Sequence, residues 1–261
     1  MIKKIINGQK WSGEIARYRS QGMRTNFYAD PEVFLPFVAE GRISQAMFAG
    51  GSYCFIEKEN QVNFYFFLEK EADPVPVPAL EKPLILEQVA LEKSGISPTA
   101  EKWKAVGFQP YLKRKRLFLP AKDLQKEQRE ISFCTEGEAE TILWMMEQAF
   151  EPYTSALPDR KILLKDLAEK RVIAFREAEK LMGFLRFGRE KKVSVLWQIA
   201  VTPEGRGKGI GETLVRDWLA QEMEEVLKFQ LWVREDNLPA FRMYEKLGFL
   251  PDGRIAPVMI K

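Results

Sequence analysis

Apolar and polar positions repeat along this chain with two periods, and each change of period marks an element. From residue 130 onward EISFC (130–134) reads as a strand, and EAETILWMMEQAF (138–150) carries apolar residues at helical spacing. EPYTSALPDR is a polar, proline-containing loop before a second helical run, KILLKDLAEK. RVIAFRE, LMGFLRFG and VSVLWQIAV are three β-rich runs separated by short charged turns, the pattern of an antiparallel meander. ETLVRDWLAQEM then places Leu214, Val215, Trp218, Leu219 and Met223 on one helical face. KFQLWV (228–233) is a further strand, LPAFRMYEKLG a helix ended by Gly248, and IAPVMI a last strand.

The first half follows part of the same plan. PEVFLPFVAEG reads as a helix with Pro31 at its start, SYCFIEKENQVNFYFFLEK as a hairpin, and DPVPVPALEKP as a proline-rich connector ahead of the strand-like LILEQVAL. TAEKWKAVGF is a short helix stopped at Gly107, followed by the strand YLKRKRLFL. EKWKAVGFQP and RMYEKLGFLP align on Trp103 with Tyr244, Gly107 with Gly248, Phe108 with Phe249 and Pro110 with Pro251, at an offset of 141 residues. Both copies stand near the end of their halves, before a strand. The polar stretch PAKDLQKEQRE, residues 120–130, is the expected boundary, giving domains over 1–122 and 130–261.

Composition narrows the chemistry. The 261 residues are 46% hydrophobic and 30% charged, those of an ordinary globule, with 40 basic against 37 acidic side chains. So even a balance gives no nucleic-acid footprint, and the run KRKR at 113–116 reads as a solvated face or edge protection. Cys54 and Cys134 stand far apart in apolar runs without a CxxC pair, which suits a reduced, cytoplasmic setting. The opening MIKKIINGQKW lacks the apolar stretch of a signal peptide, and no apolar run approaches the roughly 18 residues of a membrane span. There is no histidine, so the commonest general base and metal ligand is missing, and no metal is expected. Nothing in the pattern fixes an oligomeric state.

Residues 199–212, IAVTPEGRGKGIGE, hold Gly205, Gly207, Gly209 and Gly211 between a β-rich run and a helical one. A strand ending in glycine-rich backbone that runs into a helix makes an anion site, because unpaired amides point one way and the helix dipole adds to them. Arg206 and Lys208 bring two cations, so a diphosphate is the natural ligand. Walker A fails on register, since Gly207-Lys208 is followed by Gly209, and the Rossmann G-x-G-x-x-G spacing never occurs.

What remains is V-x-P-x-x-R-G-x-G-x-G from Val201 to Gly211, with DNLPAFRMYEKLGF downstream. These resemble the two motifs of the GCN5-related N-acetyltransferase (GNAT) superfamily, the second matched at Asn237, Ala240, Tyr244, Gly248 and Phe249. The resemblance covers residues 130–261. It implies an α/β fold, a mixed, mostly antiparallel central sheet flanked by helices (the acyl-CoA N-acyltransferase fold), here twice in tandem. It implies acetyl-CoA as acyl donor and direct transfer to a primary amine. Backbone of Ile199, Ala200 and Val201 would pair with the pantetheine arm, and Arg206, Gly207, Lys208, Gly209, Ile210, Gly211 and Glu212 would hold the pyrophosphate. Asn237 would contact the CoA arm, and Tyr244 would give the proton to sulfur.

The base is the gap in this pattern. VSVLWQIAV has no carboxylate, and the following strand offers Trp232 where relatives place an acid. Candidates are Gln198 ordering a water, Glu151 or Asp159 from the loop, or no base at all. An acyl-CoA-binding sensor or scaffold without turnover is therefore the alternative. Alternation in KFQLWV sets Leu231 and Val233 on one face and Trp232 on the other, so a cleft bordered by Trp232 would be partly aromatic. Carried back 141 residues, Tyr244 meets Trp103 and Asn237 meets Ile96, and no glycine comb adjoins LILEQVAL. The first half is then a degenerate domain without CoA that covers the active half and shapes its acceptor site.

Overall fold

The computed structural model describes residues 2–77, 80–92 and 97–261, the side chains of 97–99 excepted; Ile96 lies outside the described residues. In chain order the first elements are β1 (Ile2–Lys4), α1 (Gly8–Ser20), β2 (Arg24–Thr25), α2 (Leu35–Ala39), β3 (Ile43–Phe48), β4 (Gly51–Glu57), β5 (Val62–Leu68), β6 (Leu84–Glu87), β7 (Ala90–Leu91) and α3 (Ser97–Ala105). They are followed by β8 (Gln109–Pro120), α4 (Ala139–Ala149), α5 (Arg160–Ala168), β9 (Val172–Glu177), β10 (Lys180–Glu190) and β11 (Val193–Val201). The series ends with α6 (Ile210–Glu222), β12 (Lys228–Arg234), α7 (Leu238–Lys246) and β13 (Leu250–Ile260). The expected α/β architecture, a mixed sheet flanked by helices, is what the chain adopts.

Two compact units share the chain, one of Met1–Lys113 with Arg254–Lys261 and the other of Arg114–Gly253. This division differs from a single boundary at 120–130. Each half surrenders its last strand to the other unit: residues 114–120 pair antiparallel with all of β12, and residues 258–260 pair antiparallel with β6. An alternating strand sequence specifies a face to bury but not which sheet supplies the partner, so local pattern cannot reveal the exchange.

In the N-terminal unit the sheet runs β1-β3-β4-β5-β6 and ends on residues of β13. All of these pairs are antiparallel except β5 with β6. Trp11, Ile15 and Tyr18, spaced four and three apart on α1, pack on Phe27, Cys54 and Phe67. On the other face Trp103 of α3 sits among the rings of Tyr53, Phe64, Phe66 and Phe108. Neither α1 nor β3 was expected from the polar-looking first fifty residues. PEVFLPFVAEG is not one helix: a 3-10 turn over Pro31–Phe34 gives way to α2, where Pro36 occupies the first turn.

In the C-terminal unit the order is β8-β12-β11-β10-β9, antiparallel except for parallel β11 and β12. α6 and α7 cover one face through Leu214, Trp218, Tyr244 and Leu247 on Phe229, Leu231 and Val233, while α4 and α5 cover the other through Ile142, Met146 and Leu163 on Phe184 and Ala200. The run EISFC makes only a bridge, Phe133 to Ile173, beside β9. Both cysteines are free and buried. Among the described residues no helix is long and apolar enough to cross a membrane, and no acidic, cysteine or histidine cluster could hold a metal.

The 141-residue repeat is a repeat of geometry. Gly107 and Gly248 take φ of +99° and +91°, a left-handed conformation open to glycine, and each ends a helix. The amides of Phe108 and Phe249 then close onto the carbonyls of Trp103 and Tyr244 at 3.1 and 3.0 Å, and both phenylalanines are fully buried.

Candidate active site

The site forms where two parallel strands part. β11 pairs with β12 from Val193 opposite Lys228 to Leu196 opposite Leu231, and no further. At that point the β10 register slips, Arg186 facing Gln198 and Phe187 facing Leu196, which leaves Trp197 as the extra residue of a bulge. A bulge bends its strand and ends pairing. Ile199, Ala200 and Val201 remain bonded to β10 on one side, and their other edge meets no strand among the described residues. Such an edge is a template for an extended ligand with amide and carbonyl groups.

The edge leads directly into the glycine comb. Thr202 starts a 3-10 turn over Pro203–Gly205, and Gly209, at φ +78°, is the N-cap of α6. The four glycines divide their work. Gly207 and Gly209 both hold φ of +78°, and a Cβ on either would meet nothing within 4 Å, so the space beside them is open. A Cβ on Gly205 would press on Ile210 Cδ1 at 2.9 Å, and one on Gly211 on Met243 Sδ at 3.2 Å, so these two let α6 approach β11 and α7. The first-turn amides of Ile210, Gly211 and Glu212 have no intrahelical acceptor and face an anion with the positive end of the helix dipole. Arg206 and Lys208 are exposed beside them; Lys208 lies 3.3 Å from Glu177, and Arg206 makes no ion pair among the described residues. The Glu212 carboxylate is held by Lys246 and Arg216, which depress its pKa, leaving its amide as the group that can serve a ligand.

α7 stands against the start of α6 through the Gly211–Met243 approach. Asn237 is exposed as its N-cap, its side chain accepting from Ala240 N at 3.3 Å. Tyr244 is 3% exposed, edge-on to Phe249 at 5.7 Å, and its hydroxyl makes no hydrogen bond among the described residues. Burial pushes its pKa up, so it stays a protonated donor. Ile199, Val201 and Met243 pack on the same cluster as Tyr244. The structure thus draws Ile199–Val201, the comb and Tyr244 together, and leaves Asn237 at the rim.

The family model for the acetyltransferase (GNAT) family matches residues 138–249. Residues 138–249 form a GNAT domain. A Bacillus subtilis protein, UPF0157 protein YqkA, is 26% identical over 95 residues, 36% of this chain; the chain spans only 27% of that relative. Among solved structures, a GCN5-related N-acetyltransferase from Sphaerobacter thermophilus superposes with a TM-score of 0.62 at 13% identity, covering 100% of this chain and 95% of its own. A tandem GNAT protein from the clavulanic acid biosynthesis pathway gives a TM-score of 0.58 at 11% identity, covering 100% and 98%. At such identities the likeness is one of fold.

Within the GNAT domain the candidate bases are already engaged. The Glu151 carboxylate accepts from the amides of Tyr153 at 3.0 Å and Thr154 at 2.6 Å and from the Thr154 hydroxyl. Asp159 caps α5, accepting from Ile162 N at 2.7 Å. Gln198 is buried and bonded at both ends, to Arg186 and to the Ser155 carbonyl, a pairing that the sequence shows only as distant residues. Leu231 and Val233 are buried, and Trp232 lies on the opposite face under the guanidinium groups of Arg114 and Arg116, 5.8 and 5.7 Å from its ring centre. Arg116 is paired with Asp252 and Lys115 with Glu235, so the KRKR run is largely spoken for.

Proposed function

We propose that the C-terminal unit is an acetyl-CoA-dependent N-acetyltransferase that moves the acetyl group directly to a primary amine. The observation that carries this reading is the unpaired edge of Ile199–Val201 continuing into the open Gly207–Gly209 turn, with Tyr244 on the helix packed against it. The edge backbone aligns the donor arm, and the amides from Gly207 to Glu212, with Arg206 and Lys208, hold its diphosphate. The amine nitrogen attacks the thioester carbonyl, a C–N bond replaces the C–S bond, and the departing thiolate takes the Tyr244 proton. The amine's own proton leaves to water, and the Tyr244 phenolate takes a proton back from water as the products leave, which restores the starting state. The N-terminal unit is the degenerate copy that binds no acyl-CoA, and two free, buried cysteines suit a reducing, cytoplasmic compartment.

One observation favours the rival reading of an acyl-CoA sensor: both loop carboxylates are spent on backbone capping. Calorimetry with acetyl-CoA tests the donor site, and free-thiol release across amino acids, polyamines and aminoglycosides separates enzyme from sensor. Tyr244→Phe should lower turnover roughly a hundredfold while leaving acetyl-CoA affinity unchanged. Unchanged turnover removes Tyr244 from the reaction.

A further inference from the structure

Asp166, Arg186 and Gln198 are buried polar side chains of the GNAT domain, at 2%, 6% and 2% exposure, and none of them is among the residues assigned to the acyl-CoA. They form a line. Arg186 Nε donates to Asp166 at 2.6 Å, Arg186 Nη1 donates to Gln198 Oε1 at 2.7 Å, and Gln198 Nε2 donates to the Ser155 carbonyl at 2.8 Å. Arg171 occupies the other Asp166 oxygen. Trp197, the bulge residue, lies over the Arg186 guanidinium at 4.4 Å and seals it from above. Burying charges costs desolvation that apolar side chains of similar size would avoid, so what the line returns is a fixed position for its far end.

That far end is the loop over residues 151–158. Two donors from different strands grip consecutive carbonyls of it, Arg114 at Thr154 (3.1 Å) and Gln198 at Ser155. The next residue, Ala156, has φ +45°, a conformation that a non-glycine residue holds only where its surroundings fix it. Gln198 is also the residue immediately before the unpaired edge at Ile199. The loop is therefore set, by a side chain, against the place where a donor arm would lie.

We infer that Gln198, held by Arg186 and Asp166, is a positioning residue that fixes this loop as the wall orienting the acceptor amine, separate from donor binding. The inference rests on the acyl-transfer reading for its consequence, but not for the clamp itself. Gln198→Glu keeps an oxygen for Arg186 and removes the N–H that holds Ser155. Gln198→Met fills the same space and serves as the second variant should the first fail to fold.

Amide hydrogen exchange on the full chain reads the clamp without turnover. Peptides covering 151–158 should exchange roughly tenfold faster in either variant. Calorimetry should give an acetyl-CoA affinity within about twofold of the parent chain, while the KM of the amine acceptor found by thiol release rises roughly fivefold at constant kcat. Unchanged exchange overturns the clamp. Acetyl-CoA affinity falling in step with the rise in KM overturns the separation from donor binding. Failure of the parent chain to bind acetyl-CoA overturns the acyl-transfer reading instead, and the exchange result still decides what holds the loop.

Discussion

Among the described residues each unit contains one pair of parallel strands that part after a few residues, and the two forks differ in what enters them. In the GNAT domain β11 leaves β12 after Leu196, and among the described residues the edge from Ile199 to Val201 stands open. In the N-terminal unit β5 leaves β6 after Asn63, but its edge is taken by the chain itself. Arg24 and Thr25 pair with Leu68 and Phe67 as a strand, and Asn26 spans the gap. Its amide donates to the carbonyls of Phe64 and Glu87 at 2.9 and 3.0 Å, and its oxygen accepts from Phe66 N at 2.9 Å. An open edge needs a partner for its backbone groups, and one unit has found it internally. The difference lies in the fork's contents rather than its strands: an internal filler in one copy, a glycine turn and helix in the other.

Cutting the chain takes β8 away from the open fork. A fragment beginning at residue 125 retains the open fork but loses the residues of β8 that pair with β12 from Lys228 to Arg234. It should show no cooperative unfolding transition by circular dichroism; a stable fragment would mean that the fork does not depend on β8. Asn26→Ala comes next, since it strands two buried backbone groups and one partly buried one, and denaturant titration should show a loss of roughly 3 kcal/mol. Calorimetry of this variant should still give one acetyl-CoA per chain. Two would show that Asn26 alone closes the first fork.

Gly209→Val acts on the open fork. A β-branched residue at φ +78° is strained and crowds the space for an anion, so acetyl-CoA should bind roughly tenfold more weakly by calorimetry. The smallest effect is that of Lys208→Ala. This exposed ammonium is shared with Glu177, and its loss should weaken acetyl-CoA about twofold at low salt, with the difference vanishing as salt is raised.

The comb, the α7 motif and the helix-stop repeat were legible because each is local: glycine register, Asn237-to-Tyr244 spacing, and Gly107 and Gly248 before a buried phenylalanine. Trp11, Ile15 and Tyr18 are equally local and mark α1, but Lys10, Glu14, Arg17 and Arg19 around them dilute the apolar stripe. The sequence offers Gln198 only as a residue to order water, because its partners Arg186 and Asp166 are 12 and, through Arg186, a further 20 residues away. Asn26 left no local trace at all. A polar residue between Thr25 and Phe27 reads as a turn until strands from elsewhere converge on it.

The exchanged strands set an order of events during synthesis. The N-terminal unit is complete in sequence at Lys113 except for Arg254–Lys261, which must be made after all of Arg114–Gly253. At the usual pace of translation the nascent unit waits roughly ten seconds for that strand. Meanwhile Leu84, Ile85 and Leu86 of β6 stand at an unfinished sheet edge, and the carbonyls of Val77 and Val106 lack the Lys261 ammonium that reaches both at 2.8 Å. Apolar strand surface in the first half of this chain therefore stays uncovered until Arg254–Lys261 have been made.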